Sequence, residues 1–138
     1  DIVLNDFSIL NNDYKINYKN NNVYVFNMKA EHLKQILIIL LDNAIKYSKR
    51  EKYIDVIIEE DSKFQILTVR DKGVGIPKDD IPFLFDRFYR VDKSRNSKTG
   101  GNGLGLSIAN RIISLYGGKI SVYSIEGEGT SFKVKIPK

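Results

Sequence analysis

Three segments of the chain hold residue types that could handle a phosphorylated ligand. In the first, Asn43, Lys46 and Tyr47 stand at i, i+3 and i+4, the spacing that puts side chains on one helix face. Asn43 follows an apolar string, where an unpaired amide would cost roughly 1–3 kcal/mol. A carboxamide oxygen suits a hard cation such as Mg²⁺, which keeps several waters and leans on substrate phosphates. Lys46, one turn on, could reach a phosphate as a mobile point charge. A helix end turning polar as it leaves a core would account for the same residues.

The second segment is Asp71-Lys72-Gly73-Val74-Gly75-Ile76-Pro77. An ionised carboxylate only accepts hydrogen bonds, so Asp71 suits an exocyclic amino group such as that of adenine. Gly73 and Gly75 would let the backbone turn sharply and approach a flat ring. A tight turn opened by Asp is the simpler alternative. The third is Gly100-Gly101-Asn102-Gly103-Leu104-Gly105-Leu106. Glycines there expose N–H groups at a helix start, whose partial positive charge favours phosphates. It is not a P-loop, because no Gly-Lys-Ser/Thr follows, nor a Rossmann fingerprint, because a polar loop precedes it. A flexible hinge would read the same way.

The elements that must position these segments follow from periodicity. Residues 14–19 and 23–27 alternate around Asn20-Asn21-Asn22 and read as a β-hairpin. Over residues 31–50, Leu33, Ile36, Leu37, Leu40, Leu41, Ala44 and Tyr47 recur at three and four, the helix period. Residues 54–59 and 64–70 read as strands, and a short helix is expected around 80–88. Residues 93–102 form a polar loop without periodicity. A second long helix spans 104–115 and stops at Gly117-Gly118, and residues 119–124 and 130–136 form a closing hairpin. Strands on both sides of the helices predict an α/β sandwich, a mixed sheet under one helical layer. Its other face would be solvated or covered by a neighbour.

Composition narrows the chemistry. The 138 residues are 42% hydrophobic and 28% charged, fitting one globular domain. The absence of cysteine excludes disulfides, zinc ribbons and a thiol nucleophile, and a single histidine, His32, excludes a multi-histidine metal site. The longest apolar run, residues 36–41, is far below the ~20 needed to span a membrane. No leader pattern opens the chain, which starts at Asp1, so a fragment of a longer polypeptide is expected. The net charge of +5 clusters once, in Arg87, Arg90, Lys93, Arg95 and Lys98 against Asp92. A polyanion would be drawn there, although a solvated basic loop is the plainer explanation.

Taken in order, these segments resemble the catalytic, ATP-binding domain of bacterial sensor histidine kinases, within the wider group that includes DNA gyrase, MutL proteins and heat-shock chaperones. Leu40-Leu41-Asp42-Asn43-Ala44-Ile45-Lys46-Tyr47-Ser48 is similar to the N box, and the Asp71–Pro77 segment to the first glycine box. Phe85-Asp86-Arg87-Phe88-Tyr89-Arg90-Val91-Asp92-Lys93-Ser94-Arg95 resembles the F box. Gly101 to Leu106 resembles the second glycine box, and Gly127-Glu128-Gly129-Thr130 the last.

The resemblance implies a two-layer Bergerat-type sandwich with about three helices, forming a single domain over 1–138 with an ATP lid at about 93–102. It implies ATP and Mg²⁺ as ligands, with Asn43 binding the metal, Lys46 contacting phosphate and Tyr47 lying along the nucleotide. Asp71 would recognise the adenine amino group, with Gly73, Gly75 and Ile76 beside the ring. Arg90 and Lys93 would approach the terminal phosphate, so the basic loop would oppose a triphosphate. Gly101, Gly103, Leu104, Gly105 and Leu106 would line the phosphate end, and Thr130 would complete the adenine end. The reaction implied is transfer of the γ-phosphoryl group to a histidine on a separate dimerisation domain, which also meets the response regulator. The parent would be a homodimer anchored in the cell membrane, with this domain in the cytoplasm and no nucleic-acid partner.

One position departs from the pattern. Such kinases usually carry a second Asn one turn before the metal Asn, where relatives that hydrolyse ATP or phosphorylate serine carry a Glu base. Here it is Ile39. Asp42 is no substitute, being turned about 100° away on a helix. A neutral imidazole is already nucleophilic near pH 7, so the missing base favours a histidine acceptor over water or serine. His32 itself is followed by Leu33-Lys34-Gln35, not the acidic phosphoacceptor pattern, and reads as a surface or capping residue. The alternative is a degenerate nucleotide-binding or protein-interaction module without kinase activity, and Ile39 is what favours it.

Overall fold

A computed structural model of the chain describes residues 15–19, 28–46, 53–87 and 105–138. These form strand β1 (Lys15–Lys19), helix α1 (Ala30–Lys46), strands β2 (Tyr53–Glu60) and β3 (Phe64–Asp71), helix α2 (Gly105–Leu115), and strands β4 (Lys119–Ile125) and β5 (Gly129–Pro137). The strands make one sheet in the order β1-β2-β3-β5-β4. β1 runs parallel to β2 and every other pair is antiparallel, so the sheet is mixed as the sequence predicts. The second strand of the expected N-terminal hairpin, residues 23–27, lies outside the described residues.

The helical layer follows from the apolar stripe. Ile36, Leu37, Leu40, Leu41 and Ala44 of α1 are buried, together with Ala109, Ile112 and Ile113 of α2. They close over the inward rungs of the sheet: Ile54, Val56 and Ile58 of β2, Leu67 and Val69 of β3, and Phe132, Val134 and Ile136 of β5. Each such side chain contributes about 1.5–3 kcal/mol when fully buried. α1 packs against both β3 and α2, which holds the two candidate ligand helices side by side over the strand that ends in Asp71.

Both ends of this layer are locked. Glu31 in the first turn of α1 favours the positive end of the helix dipole. α2 stops in a Schellman arrangement: the Gly118 and Gly117 N–H groups donate to the Ile113 and Ser114 carbonyls, both at 3.0 Å. His32 is half-buried at the start of α1, with Nδ1 against the Tyr116 hydroxyl beyond α2. Tyr116 also accepts the Lys29 N–H at 3.3 Å, so its hydroxyl ties the start of one helix to the end of the other.

The short helix expected around 80–88 is a single 3₁₀ turn, Ile81–Phe83. Pro82 stands in the first turn, where its missing N–H costs nothing, but Leu84 is the one residue of 81–84 that is buried, too little apolar surface to carry a longer helix. The helical layer among the described residues is therefore two α-helices and this turn. The opposite sheet face is polar. Arg70 pairs with Asp55 at 3.0 Å, and Thr68, Ser131, Lys133 and Tyr123 line a shallow groove of about 370 Å³ beside them.

Candidate functional site

Asp71 ends β3 and points to the helical side of the sheet, buried at 7% exposure. Its Oδ1 accepts the Gly73 N–H at 2.8 Å, which bends the chain out of the strand into the glycine loop. Burial pushes its carboxyl up to about 6, while the Gly73 and Thr130 N–H groups pull the other way. Among the described residues no ion pair supplies a counter-charge. Thr130, 4% exposed, is the direct partner of Asp71 across the β3–β5 ladder.

The glycine loop is pinned against the β4–β5 turn. Gly75 adopts φ +77°, and a Cβ there would run into the Ile125 carbonyl and lie 2.8 Å from Glu126 Cα. Only glycine fits this crossing. The Val74 carbonyl accepts the Gly127 N–H at 2.8 Å, and the Ile76 N–H donates to Ser124 Oγ at the same distance. Gly73, Gly75 and Ile76 are all buried against this turn. The first and last glycine segments, some fifty residues apart in sequence, thus form one backbone corner around Asp71 and Thr130.

Ser124 escaped the sequence reading. Its signal is a break in pattern: Ile120 and Val122 lead the inward alternation of β4, and the next inward position holds a hydroxyl. That hydroxyl contacts Gly129 O at 3.0 Å and Thr130 Oγ1 at 2.9 Å as well as the Ile76 N–H.

On α1, Asn43 Nδ2 donates to the Ile39 carbonyl one turn back at 3.0 Å. A carbonyl only accepts, so this bond fixes the amide orientation and leaves Oδ1 without a partner among the described residues. One free carboxamide oxygen fits a cation that keeps most of its waters, and no cluster of His, Asp or Glu able to cage a metal occurs among the described residues. Ile39 packs towards the start of α2: a Cβ on Gly105 would lie 3.5 Å from Ile39 Cγ2. Hydrocarbon thus fills the place where a carboxylate base would stand. Gly105 opens α2 and Leu106 packs on the core edge. The side chain of Lys46, and all of Tyr47, Arg90, Lys93, Gly101, Gly103 and Leu104, lie outside the described residues.

Residues 28–138 match the histidine kinase-, DNA gyrase B- and HSP90-like ATPases, and the chain belongs to that family. Within it the chain stands with the catalytic domains of sensor histidine kinases. It is 50% identical over 107 residues to the signal transduction histidine-protein kinase ArlS of Staphylococcus aureus strains USA300 and COL, covering 78% of this chain and 24% of ArlS. The chain thus spans about a quarter of the length of these curated relatives. The catalytic domain of histidine kinase ThkA superposes with a TM-score of 0.80 at 26% identity, over 99% of this chain and 92% of that one. The fold is shared with the mycobacterial sensor histidine kinase MprB, with a TM-score of 0.85 at 24% identity, over 99% of this chain and 91% of that one.

Proposed function

We propose that the chain is a single ATP-binding catalytic domain of a larger sensor kinase and moves the γ-phosphoryl group of ATP to a histidine on a separate dimerisation domain. The observation that carries this reading is Asp71: a carboxylate buried with no counter-ion among the described residues, in a corner of backbone N–H groups, next to a buried hydroxyl. Such a group is costly to fold unless a ligand supplies the missing donor, and the amino edge of adenine does so. Asn43 would hold Mg²⁺ through its free oxygen, and the ion would neutralise phosphate charge. Lys46, Arg90 and Lys93 would meet the phosphates, with residues 93–102 as the lid and Tyr47 along the nucleotide. Gly101, Gly103, Leu104, Gly105 and Leu106 would line the phosphate end at the start of α2, where N–H groups and the helix dipole favour an anion.

Ile39 supports the choice of acceptor. The isoleucine that stands against Gly105 cannot itself take a proton from water or serine. Catalysis then consists of positioning and charge neutralisation, which is enough for an imidazole nucleophile. The phosphoacceptor domain and a response regulator are the partners proposed. The parent is proposed to sit in the cell membrane with this domain on the cytoplasmic side; among the described residues no helix is long and apolar enough to cross a membrane. The test is transfer of labelled phosphate from ATP to a dimerisation domain supplied in trans. Acid-labile label on its histidine supports the reading. Failure to bind ATP or ADP even with Mg²⁺ would favour the degenerate module.

A further inference from the structure

Ser124 Oγ has three neighbours: the Ile76 amide nitrogen at 2.8 Å, the Gly129 carbonyl oxygen at 3.0 Å and the Thr130 hydroxyl at 2.9 Å. A hydroxyl owns one proton and two lone pairs. The Ile76 N–H occupies one lone pair. A carbonyl only accepts, so the Gly129 contact takes the Ser124 proton. The remaining lone pair then receives the Thr130 proton. Sending the Ser124 proton to Thr130 instead would leave two oxygens facing each other at Gly129 with no hydrogen between them. Only the first arrangement makes all three contacts attractive. Thr130 has thereby used its own proton and offers other groups lone pairs alone. The ionised Asp71 across the ladder likewise offers only lone pairs.

We propose that Ser124 is a specificity-determining residue: by fixing Thr130 as an acceptor, it makes the Asp71–Thr130 corner select a purine with an amino group at C6 over one with a keto oxygen. The proposal rests on the adenine-nucleotide reading of the site and deepens it. Ser124 acts through Thr130 as a positioning residue. The C6 amino group carries two hydrogens, one for each acceptor, whereas a keto purine sets its C6 oxygen against both and has a single donor, the neighbouring N1–H. Without Ser124 the Thr130 hydroxyl is free to turn and donate, and the keto purine gains a partner.

The test is titration of the chain with ADP and IDP, which differ at C6, amino in one and keto in the other, and at N1, an acceptor in one and an N–H donor in the other. The unmutated chain binds ADP more tightly. Ser124→Ala lowers the ADP-to-IDP preference by about tenfold, the scale of one hydrogen bond. Ser124→Thr keeps the hydroxyl and the preference. Thr130→Val, close in volume and suited to a strand, lowers the preference too, and adding Ser124→Ala to it lowers it no further. Ser124 also anchors the Ile76 N–H, so an equal fall for both nucleotides with the ratio unchanged overturns the specificity role and leaves a loop anchor. An unchanged ratio in Thr130→Val overturns it as well. Should Ser124→Ala not fold, Thr130→Val and Ser124→Thr decide the question. Absence of ADP binding by the unmutated chain overturns the nucleotide reading, and this proposal with it.

Discussion

At the residue scale the domain keeps a charge that its own fold disfavours. The Asp71 carboxyl is raised by burial from 3.8 to about 6. The folded state therefore holds its proton more tightly than the unfolded chain, and stability falls as pH rises from about 4 to about 6. Above that window the ionised group costs on the order of 2–3 kcal/mol. Asp71→Asn keeps an oxygen for the Gly73 N–H and never ionises. It should raise the melting temperature of the nucleotide-free domain by several degrees at pH 7.5 and by little at pH 4, in paired thermal scans. The same substitution should weaken ADP binding at least tenfold, because the amide cannot accept at both positions. Binding carries the opposite pH sign. Protonated Asp71 loses an acceptor, so ADP affinity should fall below pH 6, by at most about tenfold per pH unit for a single proton. Calorimetry between pH 5 and 8 measures it, and a flat profile would remove Asp71 from the contact.

At the element scale the site depends on one backbone crossing, the glycine loop against the β4–β5 turn. Gly75 and Gly127 both adopt positive φ, at +77° and +85°. A Cβ on Gly127 meets nothing within 4 Å, whereas one on Gly75 strikes backbone atoms of Ile125 and Glu126. Gly127→Ala should therefore cost only the left-handed backbone term, about 1–2 kcal/mol. Gly75→Ala should cost at least about 3 kcal/mol and abolish ADP binding, because backbone cannot yield as a side-chain tip does. Urea denaturation of both variants separates the two, and equal costs would mean that the turn gives way. This crossing also marks where the sequence stops being legible. The helix stripe from Ile36 to Ala44 and the alternation in β2, β3 and β5 are local patterns, and they fix those elements to within a few residues. Asp71, the glycines and Thr130 stand out as residue types. The contact that joins them spans about fifty residues and depends on register, which periodicity does not encode. Ser124 was hidden for the same reason, since its role exists only once β4 pairs with β5. The parallel pairing of β1 with β2 is likewise a long-range choice, and the helix suggested around 80–88 shrinks to one turn because Phe83 faces solvent and Leu84 alone of residues 81–84 is buried.

At the scale of the whole molecule, the proposed reaction divides the chemistry between this domain and a dimerisation domain that carries the histidine. In that reading the sheet and α1 would grip a nucleotide at the base and the metal, and Ile39, against Gly105, offers no base at its position to activate water. The domain should therefore bind ATP and hydrolyse it very slowly until an imidazole is presented. Two observations separate this from an ordinary ATPase. Mixing the chain with labelled ATP alone should release little inorganic phosphate over the time in which a dimerisation domain, added in trans, becomes labelled. Asn43→Ala should abolish that transfer while lowering ADP affinity far less, because the amide would act on the metal and the base is held elsewhere. Fast phosphate release from the isolated chain, or transfer undiminished in Asn43→Ala, would place the activating groups outside α1. Tyr116→Phe provides the contrast. It severs the tie between the start of α1 and the end of α2 at about 1 kcal/mol of stability, and should leave ADP affinity and the rate of transfer where they were.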